Sequence, residues 1–101
     1  MIRQGDVLLI PTRCIPTAAT PEAREHGRVI LAHGEVTGHA HELADPAAGE
    51  LLAVEDVRYL RVDRDVQLVH QEHSALDLAA GTYIVRRQRE YSPEAIRTVA
   101  D

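Results

Sequence analysis

The apolar residues of this chain come in short runs that turn residues keep interrupting, and this limits the fold more than any other feature. The run in "GDVLLIP" is opened by Gly5 and closed by Pro11. "RVILA" and "EVTGHAHEL" are β-branched or alternating, with Gly34 and Gly38 marking a bend, a bulge or a close approach. "DPAAGE" reads as a turn, "LLAVE" and "VRYLRV" as two strands, and "RDVQLVH" as the start of another. "LDLAAGTYIVRRQREY" reads as a strand, a tight turn around Gly81 and a long final strand. About six or seven short strands separated by turn signals predict an all-β fold, a small barrel or sandwich. The 101 residues suffice for one domain, spanning 1–101.

Helical signals are few. In "TPEAREHG", Thr20 can cap a turn or two of helix with Pro21 at its first position and Gly27 as its stop. "SPEAIRTVAD" repeats the signal with Ser92 and Pro93, predicting a short C-terminal helix whose Ile96 and Val99 pack on the β-domain. Residues 66–80 read either way. They contain good helix formers ahead of Gly81, yet Val66, Leu68 and His70 alternate as in a strand.

Hydrophobic residues make up 45% of the chain, which excludes disorder, but aromatics only 3%, so Val, Leu, Ile and Ala must build the core. A core so poor in large rings predicts a homo-oligomer that gains buried surface by assembly. All eleven basic residues are Arg, and the net charge is −5, an acidic balance that argues against nucleic acid as a partner. No polybasic run marks a membrane surface. Asp6 precedes the N-terminal apolar run and no small-residue cleavage site follows it, so neither a signal peptide nor a span is expected, and the compartment expected is the cytoplasm. The single Cys14 excludes an internal disulfide and is expected to be a small buried hydrophobe.

Candidate chemistry lies in the histidines. In a strand, His39 and His41 project from one face, about 6.5–7 Å apart along the chain, and both rings can meet one ion. Neutral imidazole suits zinc, iron or nickel. If the strand is unbroken, Glu35 and His33 share that face. His70 and His73 add nitrogens, and Glu72 or Asp45 a carboxylate. His70 and His73 stand three apart, on opposite faces of an ideal strand, so both serve only if a bulge or turn intervenes or the segment is helical. "HQEH" lacks the spacing of helical zinc-protease motifs. The expected divalent ion would act as a Lewis acid or oxygen-activating centre, with Glu35 or Glu72 as general-base candidates. A structural alternative leaves His39 and His41 bonding to backbone, Glu35 or Asp45 at a strand end. His26 is expected on the surface.

The stretch His39-Ala-His41, followed after three residues by Asp45, resembles the first motif of the cupin family, which binds a metal inside a β-barrel. The resemblance implies ligand roles for His39, His41 and Asp45, with His70 standing for the histidine of the second motif. The pattern "QGDVLLIP … GEVTGHAH … HQEH … GTYIVRRQREYSPEAI" is also similar to small uncharacterised proteins of bacteria and phages, which lend no activity.

Two other functions are weighed. Arg86, Arg87, Arg89 and Tyr91, with Arg58, Arg61 and Arg64, could grip phosphates of RNA, or protect strand edges and pair across the sheet. A non-enzymatic assembly module of a phage or mobile element would use the histidines structurally and the Arg-rich strand as a contact. A pocket holding His39, His41 and a third imidazole favours the metal; rings scattered on an open surface favour the module.

Overall fold

The computed structural model describes residues 1–34 and 36–88. They form strands β1 Ile2–Gln4, β2 Val7–Thr12, β3 Thr20–Pro21, β4 Ile30–His33, β5 Ala40–Leu43, β6 Gly49–Val54, β7 Val57–Val62, β8 Val66–His70, β9 His73–Leu78 and β10 Gly81–Arg87. One turn of 3₁₀ helix, Pro46–Ala48, lies between β5 and β6. The chain is all-β, as the pattern predicts. The strands make a six-stranded sheet, ordered β1-β2-β10-β7-β6-β3, and a four-stranded sheet, β4-β5-β8-β9. Every described pairing is antiparallel.

A barrel is not what forms. Closure needs an unbroken ladder, and the six-stranded sheet ends in β1, three residues long, and β3, two residues long. Neither is hydrogen-bonded as a strand to the four-stranded sheet among the described residues. Side chains bridge the gap instead, Gln4 above all.

Between the sheets lies an aliphatic core, as the composition requires. Val7 and Leu9 of β2, Leu60 and Val62 of β7 and Val85 of β10 meet Leu31 of β4, Leu43 of β5, Leu68 of β8 and Leu78 of β9. Burying each such side chain is worth about 1.5–3 kcal/mol. Tyr83 brings the one aromatic ring of this cluster and donates its hydroxyl to the Ala79 carbonyl at 2.7 Å.

Residues 66–80 resolve as a hairpin, β8–β9, whose Gln71–Glu72 turn makes His70 and His73 cross-strand partners beside an irregularity in register. The helix expected over residues 20–27 does not form. Thr20 and Pro21 pair with Ala53 and Leu52 of β6, at the sheet edge where proline's missing donor costs nothing. His26 and Gly27 both take left-handed conformations, φ 54° and 77°, and fold the chain back so that Glu25 bridges Arg28. Gly27 therefore serves a two-residue turn and not a helix stop. Cys14 is exposed in the β2–β3 connection, contrary to the expectation of burial. The C-terminal helix expected from Ser92 and Pro93 lies outside the described residues.

Candidate metal centre

His41 sits within β5 and is 2% exposed, its ring turned into the seam between the sheets. Facing it is Gln4, the last residue of β1, 3% exposed. Gln4 Nε2 donates to two carbonyls of the other sheet, Leu68 and Ser74, each at 2.9 Å. Those two acceptors fix which end of the amide is nitrogen, so Oε1 faces His41 Nδ1 at 2.8 Å. Because Oε1 can only accept, Nδ1 carries the proton and Nε2 is left with its lone pair.

That lone pair points towards the β1–β2 turn. Gly5, at the first position of this two-residue turn, has φ +58°. A Cβ there would lie 2.7 Å from His73 Nε2 and 3.2 Å from His41 Cε1. Only glycine lets the backbone approach both rings. Asp6 follows. Its Oδ2 accepts from Arg87 Nη2 at 2.7 Å and Nε at 3.2 Å, and its Oδ1 stands 3.6 Å from His41 Nε2.

The β8–β9 hairpin brings the other rings. His70 is centred 4.2 Å from His41 and 4.8 Å from His73, and His73 lies 5.8 Å from His41. His70 Nδ1 accepts the Glu72 backbone N–H at 3.0 Å, so the neutral ring carries its proton on Nε2 and offers a donor to the cleft. His39, just before β5, meets His70 edge-on at 5.8 Å. Its Nδ1 stands 3.4 Å from Glu72 Oε2 without the alignment of a hydrogen bond, and that buried nitrogen has no other hydrogen-bond partner among the described residues.

Electrostatics disfavour the charged forms of His41 and His70. Burial, then the neighbouring His70, push His41 down to about 4, against the pull of Asp6. Burial and then His73 also lower His70, with Glu72 opposing. Burial would raise Asp6, but hydrogen bonds and charge from Arg87, with His41 adding, leave it below its ordinary value.

Gly5, Asp6, His41, His70, Glu72, His73 and Arg87 are among the residues that line one cleft of about 440 Å³. As the side chains stand, no three His, Cys, Asp or Glu groups among the described residues converge tightly enough to hold an ion. Gathering three around one point takes side-chain rotation, to which half-buried His70 and exposed His73 are open, whereas His41 is locked.

Of the residues singled out from sequence, His39, His41, His70, His73 and Glu72 come together. Asp45 does not. It caps the 3₁₀ turn, accepting from Ala47 N at 3.0 Å, and pairs with Arg64 at 2.6 Å, so the cupin-like carboxylate role is not met. Glu35 lies outside the described residues. His33 bonds Glu25 at 2.8 Å on the surface instead of joining the rings. Gln4, Gly5, Asp6 and Arg87 entered no candidate metal or catalytic set. Gln4, Gly5 and Asp6 share one local signal, "QGD", a glycine turn with polar residues on both sides at the head of a buried apolar run, which marks the turn but not its partners, and Arg87 has no such signal.

The arginines weighed for phosphate binding are engaged internally. Arg58 pairs with Glu22 and donates to the Leu31 carbonyl, Arg61 meets Glu50 and Asp63, Arg64 meets Asp45, and Arg87 meets Asp6. Arg89 and Tyr91 lie outside the described residues. No helix among the described residues is long and apolar enough to cross a membrane.

The family described as "Domain of unknown function (DUF8820)" matches residues 3–88. No curated protein and no solved structure matches the chain.

Proposed function

The chain belongs to the DUF8820 family, and we propose that it is a small metal-binding β-domain that takes a divalent ion, zinc, iron or nickel, at the histidine cleft. His41 is the anchoring ligand, and His39, His70 and His73 are the imidazoles within reach. The observation that carries this reading is that three imidazoles from two separate segments line one cleft, and the most buried has its ring fixed by Gln4. A histidine whose second nitrogen is committed to a buried partner is how proteins orient metal-binding rings. Imidazole and carboxylate donors suit borderline divalent ions better than soft ones.

The cleft is open to solvent on one side, leaving room for a substrate beside the ion, with Glu72 as the nearby base. Assembly into a homo-oligomer belongs to the same reading, resting on the aromatic-poor core, and light scattering tests it.

The test is metal content by mass spectrometry on protein purified without a His-tag, beside the double variant His39→Ala/His41→Ala. Near-stoichiometric metal in the wild type, lost in the variant, supports the site. No metal in either, with melting unmoved by zinc, nickel or iron, refutes it.

A further inference from the structure

Two glycines of the cleft sort its histidines by where their nitrogens face. At Gly5 a Cβ would stand 2.7 Å from His73 Nε2 and 3.2 Å from His41 Cε1, so these two rings converge on the β1–β2 turn. At Gly34, just after β4, a Cβ would stand 3.0 Å from His70 Nε2. Both glycines line the cleft. His70 therefore turns its outer nitrogen to a different wall from the one that gathers His41 and His73.

That nitrogen also differs in kind. The Glu72 backbone N–H donates to His70 Nδ1 at 3.0 Å, a bond that forms only while Nδ1 bears no proton. The ring proton is then on Nε2. Gln4 imposes the reverse on His41, whose Nδ1 carries the proton and whose Nε2 keeps the lone pair. Two rings centred 4.2 Å apart thus present a lone pair and an N–H, and no hydrogen bond joins them. A cation takes the first and is refused by the second, whereas an oxygen acceptor takes the second.

We propose that His41 and His73 hold the ion on the Gly5 side, and that His70 is no ligand but the donor to the substrate, a small carboxylate with a short apolar tail. This rests on the metal-binding reading above and divides its imidazoles by role. A carboxylate meets both demands: one oxygen goes to the ion, and the acceptor facing His70 is charged, which strengthens the bond. The tail follows from Val36. It is 49% exposed, one of two large hydrophobic side chains so exposed among the described residues, and it lines this cleft two residues beyond Gly34. A cleft of about 440 Å³ takes a molecule of a few carbons beside an ion.

The experiment is calorimetry on the chelator-stripped full chain, first with zinc and then, on the zinc form, with butyrate. The variants are His70→Phe, which removes the donor, His70→Gln, whose amide restores an N–H near the same place, and His41→Ala. Zinc should weaken by no more than about tenfold in either His70 variant, and by at least about a hundredfold in His41→Ala. Butyrate should bind at least about tenfold more weakly to zinc-loaded His70→Phe, and His70→Gln should recover most of that loss. Zinc loss in both His70 variants equal to that in His41→Ala makes His70 a ligand and overturns the proposal. Unchanged butyrate affinity in His70→Phe, or a zinc form that takes no butyrate, also overturns it while leaving the metal site standing. A wild type that binds neither zinc, nickel nor iron removes both. Nitrogen NMR of the imidazoles in the wild type gives a readout independent of any variant's folding. His70 should keep its proton on Nε2 in the zinc-saturated protein, and a metal-bound His70 Nε2 contradicts the assignment.

Discussion

Acid should loosen this fold well above the pH at which carboxylates titrate, and His41 sets the size of the effect. In the unfolded chain its imidazole takes up a proton near its ordinary value of 6.5, whereas in the folded chain it does so only at about 4. The unfolded state therefore binds the proton first, and stability is lost as pH falls. The His41 contribution is fully present above about pH 7.5, declines between 6.5 and about 4, and is flat below that. The gap between the two values is worth about 3 kcal/mol in total, of which about 2 kcal/mol has gone by about pH 5. His70, lowered by burial and by His73, adds loss of the same sign. Asp6 is also lowered, but its share is lost only on acidification through the ordinary carboxylate range, so the interval from about pH 7.5 to about pH 5 isolates the histidines. Urea denaturation of the chelated protein at those two pH values measures the difference. Proton NMR of the ring Cε1–H signals places the His41 midpoint directly. Equal stability at the two pH values, within about 0.5 kcal/mol, or a His41 midpoint near its unfolded value, would refute the chain of reasoning from Gln4 to the neutral ring.

Three further outcomes are expected. Gln4→Leu removes three hydrogen bonds, two of them buried, and strands the His41 donor, so it should cost about 3–5 kcal/mol in urea denaturation, and a loss below about 1 kcal/mol would contradict the bridging role. Gly5→Ala should destabilise by about 1–2 kcal/mol, from the left-handed backbone and the methyl pressed on His73, with displaced His73 ring signals as its mark in NMR. Asp45→Ala should lower the melting temperature slightly by removing the cap of the 3₁₀ turn while zinc binding stays at wild-type strength, and weakened binding there would restore Asp45 to the site.

The strands were legible because their signals are local. Alternation in "VRYLRV" and the glycine and proline boundaries of "GDVLLIP" act over a few residues, and β7 and β2 lie where they indicate. His39 and His41 both approach His70, although His39 lies just before β5 and not within the strand that the alternation predicts. His70 and His73 were not legible as neighbours, since three-residue spacing gives opposite faces along a strand and one face across a tight hairpin, and only the fold decides between these. Helical signals at Thr20 and Pro21 were outcompeted because the edge of β6 offered the same backbone a ladder. Gln4, Asp6 and Arg87 could not be read at all from spacing. Gln4 lies 37 residues from His41 and Arg87 lies 81 from Asp6, and pairing between distant strands supplies those contacts.

The Gln4 bridge ties the cleft to β1, three residues long and on the outer edge of its sheet. Short edge strands open first, at a free-energy cost far below that of unfolding the whole chain. When β1 peels away, Gln4 leaves His41 and the two carbonyls at once, while the core between β2, β7 and β10 stays packed. The cleft can then fade in and out on a folded background, and amide exchange in β1 would set the clock for whatever binds there. A bulky tag fused at the exposed Met1 pulls on that same strand, so a preparation tagged at its start would report the weakest cleft the fold can offer.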